Sequence, residues 1–360
     1  MLSLAPAFVP SATAGAIAGA IACTDFTRRS PFALGGPRDH KEWHHFVILS
    51  GEIDLLVNFS CCDDARRDAP QGAEFPRLVL LVRHHTWDGD VEQFSSEQAR
   101  VRGGQIDFAF AHNRLRFHDG AFEISAALEH RPVAVEMRLT PVAMPAYAPA
   151  IPMIDGPPLN WVVAPRLRVS GSVTLRGRRF DLDGAPAYHD HNWGRFLWGH
   201  DVSWEWGFVL PECDDVPWCM TFVRLTNRAR TRALAQQLLL WRNEHLVALF
   251  REPDLEPRTD LGHLRPSGVL KVPRVMALLA PETRVDVPRW FEMHARRTNG
   301  DWLECRCEAR DVAQVVIPSE TRLGVTIFNE VLARTTVRGS LAGEPLDFRG
   351  RSVLEFIRDY

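Results

Sequence analysis

The chain of 360 residues lacks the short signatures that usually announce a cofactor or a nucleophile. It has no Gly-x-Gly-x-x-Gly fingerprint for a dinucleotide and no Gly-x-Ser-x-Gly elbow for a serine hydrolase. Its seven cysteines (Cys23, Cys61, Cys62, Cys213, Cys219, Cys305, Cys307) form no Cys-x-x-Cys pair and are odd in number. That argues against a zinc ribbon or a full disulfide framework and for a reducing, cytoplasmic compartment. Basic charge is not in excess: a net charge of -3 and a sequence pI near 6.5 leave no electrostatic footprint for nucleic acid. No Lys or Arg precedes Arg28, and Pro6 and Pro10 interrupt the apolar stretch 1–23, so neither a secretory signal nor a membrane span is expected there. The stretch is expected to pack on the body of the protein.

Sustained helical periodicity is scarce too. The best helix candidate is 233–250, and even that reads equally as two strands joined near Asn243-Glu244. Period-two alternation runs through most of the rest: Ile106, Phe108 and Phe110; Phe122, Ile124, Ala126 and Leu128; Val133, Val135, Met137 and Leu139. His118-Asp119-Gly120 supplies a hairpin turn between two such runs. Further strands are predicted over 46–59, 77–86, 161–177, 203–210, 218–225, 269–279, 289–297, 303–310 and 334–341, with a proline-rich loop over 141–158. The pattern implies an all-β protein of antiparallel barrels or sandwiches with few helices. A faint repeat is visible as well. Val173-Thr174-Leu175-Arg176-Gly177, then Gly184 and a histidine-rich run, parallels Thr336-Val337-Arg338-Gly339, then Gly343 and the segment 349–355 that ends at Glu355.

Chemistry concentrates in Tyr188-His189-Asp190-His191-Asn192-Trp193-Gly194, directly after the turn signal Asp183-Gly184-Ala185-Pro186. Five tryptophans fall between Trp193 and Trp218, so proton-handling groups sit beside a large aromatic surface. On a regular strand Tyr188, Asp190 and Asn192 share one face, and His189, His191 and Trp193 the other. Two readings stay open: the histidines orient their neighbours, or Asp190 is structural and a histidine carries the proton. Trp204, Trp206 and Phe208 alternate on one strand face and are expected to line a barrel lumen, with Glu205 on the opposite face. Trp193, Trp198 and Trp218 are less clearly placed.

A metal would compete for the same histidines. His189-x-His191 has ligand spacing and His200-Asp201 follows, but the positions where a cupin has its glutamate are Arg195 and Phe196. No metal or other cofactor is therefore expected. The pairs His44-His45 and His84-His85 place neighbours on opposite strand faces, so only one of each could reach a cavity.

From Gly184 through the Tyr-His-Asp-His-x-Trp-Gly run, the chain resembles the carotenoid 1,2-hydratase (hydroxyneurosporene synthase) and AttH-like superfamily. Trp43-His44-His45-Phe46 and the segment 343–355 extend the likeness over most of 40–360. The resemblance implies two lipocalin-like units, here 36–199 and 200–360 after an extension 1–35, and a proton-donating aspartate at Asp190. It implies hydration of isoprenoid double bonds, or cyclisation of a polyene, including pericyclic reactions in similar folds. Physically, protonating an unactivated alkene needs a carboxylic acid kept neutral by burial, and tryptophan faces stabilise the cation that results. The expected catalytic groups are Asp190, Tyr188, His189 and His191, and the expected substrate contacts are Asn192, Trp193, Trp204, Trp206 and Phe208. The expected partner is an apolar small molecule, with peripheral membrane contact compatible with its delivery. A lipid-binding protein without catalysis is the non-enzymatic alternative.

Overall fold

The computed structural model describes residues 13–28, 40–63, 74–153, 158–196, 198, 203–260, 262–281, 284–320 and 323–360. Strands dominate, and they form two sheets. The first holds β1 (His40–Leu49), β2 (Asp54–Asp63), β3 (Glu74–Arg83), β4 (Trp87–Gln93), β5 (Ala99–Val101), β6 (Asp107–Phe110), β7 (Asn113–His118), β8 (Ala121–Ala127), β9 (Val133–Pro141), β10 (Ala146–Ile151), β11 (Leu159–Leu175), β12 (Arg178–Asp181) and β13 (Pro186–Arg195). The second holds β14 (Ser203–Pro211), β15 (Trp218–Thr226), β16 (Ala233–Arg242), β17 (His245–Arg251), β18 (Leu255–Thr259), β19 (Leu270–Val272), β20 (Trp290–Arg296), β21 (Trp302–Pro318), β22 (Val325–Leu341) and β23 (Glu344–Asp359). The expected boundary at 199/200 lies outside the described residues.

Both sheets follow one plan. In each, a four-strand meander (β1–β4, β14–β17) pairs through its first strand with the last strand of the unit (β13, β23). That last strand pairs in turn with a long antiparallel strand (β11, β22). The pairing is antiparallel except where β19 runs parallel to β21.

Alternation along these strands creates three separate cores. Phe46, Ile48, Val57 and Phe122 fill the inside of the first sheet, and Phe222, Phe291, Leu354 and Phe356 the inside of the second. The opposite faces of the two sheets meet in a third core that includes Val47, Trp161, Tyr188, Trp206, Phe208 and Val353. Ion pairs clamp this junction: Arg351 Nη2 to Asp54 Oδ2 at 2.6 Å, Arg274 Nη2 to Asp88 Oδ1 at 2.9 Å and Arg83 Nε to Asp311 Oδ2 at 3.1 Å.

Several sequence expectations change. The stretch 233–250 is the pair β16–β17, with Asn243 in the left-handed turn at φ 52°, because leucines on both faces of β16 are buried in two different cores. The run 46–59 is two strands broken at Gly51, and 269–279 is the short β19 followed by the helix α2 (Met276–Leu279). The segment 141–158 is not all loop: β10 pairs with β11. The apolar N-terminal stretch contains a helix, Ala14–Thr24, capped by Thr13 Oγ1 on the Ala16 N–H. It buries Ile17 and Ile21 and ends at Asp25, whose N–H caps the Ile21 carbonyl. Among the described residues, no helix is long and apolar enough to cross a membrane.

Candidate active site

The motif strand β13 is central in its sheet, between β1 and β11, so every one of its side chains from Ala187 to Trp193 is buried. Alternation sends Tyr188, Asp190 and Asn192 toward the second sheet, and His189 and His191 into the first. Gly194 ends the motif where β11 passes close by. A Cβ there would lie 3.3 Å from Leu159 Cα and 3.4 Å from the Pro158 carbonyl oxygen.

Asp190 lines a recess of about 40 Å³ between the sheets, together with Asn192, Trp161, His45, Trp206 and Glu355. Its Oδ2 accepts from the Trp161 indole at 3.2 Å and the Tyr188 phenol at 3.1 Å, and its Oδ1 accepts, among the described residues, only from Asn192 Nδ2 at 3.2 Å. Burial pushes the Asp190 carboxyl up to about 8, with the negative Glu355 adding to the effect against the hydrogen bonds from Trp161 and Tyr188. The group is thus a neutral acid at pH 7, and Oδ1, with one donor only, has room for the proton. Burial also holds the Tyr188 phenol well above its ordinary value, so it stays a donor, stacked on Phe208 at 4.2 Å between ring centroids.

The recess adjoins a larger chamber of about 220 Å³, and Trp43, His45, Asn58, Trp204 and Glu355 border both. Its wall is mainly apolar, from Leu56, Val79 and Leu81 on one sheet to Val315, Ile317 and Phe328 on the other. Trp43, Trp198 and Trp204 form a continuous aromatic surface, with centroids 5.4–6.2 Å apart. Trp198 is held through Glu320, which accepts the Trp198 N–H at 2.6 Å and pairs with the buried Lys41 ammonium at 3.0 Å. His45 is a neutral ring, because burial and the neighbouring His189 lower it to about 3. Asn58 Nδ2 meets its Nδ1 at 3.5 Å, while its Nε2 has no protein partner.

Two further carboxyls face the chamber, and the motif gives no hint of them. Glu330 and Glu355 are cross-strand partners on β22 and β23. Burial raises both; Glu355 raises Glu330 further, whereas the Trp204 indole and Glu330 hold Glu355 back at about 7, so the first proton the pair takes up resides on Glu330. Glu355 Oε1 also accepts the Trp204 indole N–H at 2.5 Å. Their sequence signal was a carboxylate inside an otherwise apolar run, Val353-Leu354-Glu355-Phe356-Ile357, at the end of the second repeat.

Behind the motif, on the interior face of the first sheet, His44, His189 and His191 stack with Asp25 and Glu42. His189 Nδ1 donates to the His45 carbonyl at 2.9 Å, and its Nε2 meets Asp25 Oδ2 at 2.8 Å. His191 Nδ1 lies 2.9 Å from Asp25 Oδ1 and its Nε2 2.9 Å from Glu42 Oε1. Burial opposes the charge on His191, yet the two carboxylates push it up to about 9. Asp25 and Glu42 are held low by the histidines against burial. Asp25, His44 and His191 could offer ligand atoms within 4.8 Å of one another, and among the described residues no other such group occurs. The donor set suits protons better than a cation. Both nitrogens of His191 face carboxylates, and a protonated ring has no lone pair to give.

The expected residues therefore separate. Asp190, Asn192, Trp204 and Trp206 border the recess, and Tyr188 supports Asp190 from beneath. His189 and His191 line neither space, and Trp193, which contacts the His191 ring, stacks on Tyr147. Phe208 packs under Tyr188 and borders neither space. Trp204 and Trp206 face the junction between sheets instead of a barrel lumen, because β14 turns its glycine, Gly207, and Val209 toward its own sheet's core. Glu205 is tied to Arg224 at 2.7 Å and Arg358 at 3.2 Å, which removes it as an acid for the chamber. His84 and His85 lie at the β3–β4 turn, away from the cavity, and His200-Asp201 lies outside the described residues.

No protein-family profile matches the chain, and no curated protein matches it in sequence. Solved structures do share the fold. A Nitrosomonas europaea protein described as AttH is similar at 15% identity over 90% of this chain and 96% of its own, with a TM-score of 0.61. Kievitone hydratase from Nectria haematococca is similar at 10% identity over 93% of this chain and 96% of its own, and CghA with Sch210972 at 10% over 92% and 98%, each with a TM-score of 0.58. At these identities the likeness establishes a common architecture across nearly the whole chain, the one that the motif's resemblance implies.

Proposed function

We propose that the chain is a cofactor-independent hydratase or cyclase that acts on an isoprenoid or other polyene natural-product intermediate, started by proton transfer from Asp190 to a C=C carbon. The observation that carries this reading is a buried carboxyl, weakened as an acid by that burial, in a recess that opens from an apolar chamber walled by tryptophan. The proton leaves Asp190 Oδ1, a cation forms on the neighbouring carbon, and the Trp204 and Trp206 rings lie where they can stabilise it. Tyr188 and Trp161 keep Oδ2 in place and stabilise the carboxylate left behind. That one protein of this fold is a hydratase supports the reading.

Mass spectrometry of small molecules that copurify with the protein and with Asp190→Asn tests it. The wild-type chain in heavy water is expected to place deuterium on a new carbon of the captured substrate, and the variant to retain the substrate unchanged. Lipid returned unaltered by both proteins would mean a binding protein without catalysis. One metal per chain, removed by a chelator together with turnover, would replace the acid mechanism with a metal-assisted one.

One feature favours a pericyclic alternative. The buried His45 Nε2 has no partner and His45 borders both spaces, so it offers a donor for a substrate carbonyl that a cycloaddition would polarise. Such a reaction would leave no deuterium on carbon.

A further inference from the structure

The two meanders follow the same strand order, and Asp190 and Glu355 lie on corresponding strands, β13 and β23. Asp190 pairs with His45 on the first strand of its meander and with Val163 on the long strand. Glu355 pairs with Trp206 on the first strand of the other meander and with Glu330 on the corresponding long strand. Each carboxyl sits on the last strand of its unit, each points out of its own sheet, and both border the same recess.

We propose that Glu355 is the second catalytic carboxyl, the anion that faces the substrate cation and accepts the proton released when the reaction ends. The inference rests on the Asp190 reading. The two carboxyls have opposite surroundings. Asp190 accepts from three neutral donors and shares the recess with an imidazole, His45, that burial keeps uncharged, whereas Glu355 has Glu330 at its side to carry a proton. Glu330 Oε2 is buried with no other partner, so the pair is aimed into the chamber without a structural use for all of its oxygens. A single proton on Glu330 leaves Glu355 the member of the pair that ionises more readily, oriented by the Trp204 indole.

The step balances. Asp190 gives its proton to one alkene carbon, a new C–H bond forms, and the adjacent carbon becomes cationic. In hydration, a water in the recess attacks that carbon, its O–C bond forms, and the proton it loses passes to Glu355. The recess is large enough, since a water needs roughly 10–15 Å³ of such space. In cyclisation, an internal double bond attacks the cation instead, and Glu355 removes a proton from the carbon next to the final cation as a new C=C forms. In both cases Glu355 ends protonated and Asp190 ionised, and one proton crossing the recess resets the site.

A charged mimic tests this without the substrate. N,N-dimethyloctylamine, protonated at neutral pH, imitates the cation, and its hydrocarbon isostere, with carbon in place of nitrogen, imitates the neutral alkene. Binding of both is followed through tryptophan emission in wild type, Glu355→Gln and Glu330→Gln. Wild type is expected to prefer the amine by at least about tenfold, the effect of one desolvated charge contact. Glu355→Gln is expected to lose that preference and keep hydrocarbon binding. Glu330→Gln is expected to retain the preference, because Glu355 then has no carboxyl competing for its ionisation. An equal affinity of wild type for both probes would overturn the role of Glu355, even if Glu355→Gln failed to fold. So would an unchanged preference in folded Glu355→Gln. Failure of the hydrocarbon to bind wild type would instead remove the apolar-substrate reading beneath it.

Discussion

At the residue scale, Asp190 is the acid only if its burial, and not its bonding, governs it. Asp190→Asn keeps the shape and the hydrogen bonds from Tyr188 and Trp161 but cannot supply the proton, so turnover is expected to fall roughly a hundredfold to ten-thousandfold with substrate binding retained. Activity within a few-fold of wild type would reject the assignment. The same substitution has a signature in stability. A carboxyl raised from 3.8 to about 8 by folding contributes stability at low pH that is lost as pH rises through that window, since the folded state holds the proton longer than the unfolded chain. The melting temperature of Asp190→Asn relative to wild type is therefore expected to climb between about pH 4 and pH 8. A flat difference would mean an ordinary aspartate. Trp204 carries two properties, a ring face and an N–H to Glu355. Trp204→Phe keeps the first and Trp204→Leu neither. If the route is cationic, Trp204→Leu is expected to slow turnover by one to two orders of magnitude, from a contact worth about 2 kcal/mol, and Trp204→Phe by clearly less. Equal rates in both variants would point to the pericyclic route.

At the scale of the element, β13 and β1 each carry two functions on alternate side chains. His191→Gln leaves Asp25 and Glu42 buried without their cation, and breaking a buried pair in this way costs roughly 3–5 kcal/mol. The variant is expected to melt well below wild type while any protein that remains folded keeps its chamber. Because His191 is raised from 6.5 to about 9, its contribution is complete below pH 6.5 and disappears as pH rises toward 9. The alkaline loss of stability between those values is thus expected to be shallower in the variant, and identical slopes would show His191 to be neutral. Legibility in the sequence differed along these same strands. The alternation of Tyr188, Asp190 and Asn192 against His189 and His191 was readable because the strand is regular. That the histidines belong to a closed network was not, because Asp25 reaches them from a helix more than a hundred residues away in sequence. The helix itself was hidden by its Ala and Gly content, which is weakly patterned apart from Ile17 and Ile21.

For the whole molecule, the class of fold followed from the period-two runs, whereas the location of the cavity did not. Trp204, Trp206 and Phe208 were recognisable as one strand face, but pattern alone does not say whether that face looks into a barrel or toward a neighbouring sheet. The third core at the junction answers this, and it makes the two sheets one folding unit. Neither half can bury Trp161, Tyr188, Trp206 and Phe208 without the other. A single cooperative thermal transition is expected, with calorimetric and van't Hoff enthalpies in agreement. Separate transitions for the two sheets would contradict that coupling.

Because Trp43, His45, Asp190 and Glu355 occupy alternate positions on strands whose other positions fill closed interiors, the gene can vary the two sets almost independently. Point replacements on the chamber side alter what the protein accepts without disturbing what fills each sheet's own core. Insertion or loss of a single codon within 186–195 would do the reverse, exchanging the two faces and setting imidazoles against the substrate. New specificities in this lineage should accordingly arise by substitution, with length changes confined to the turns.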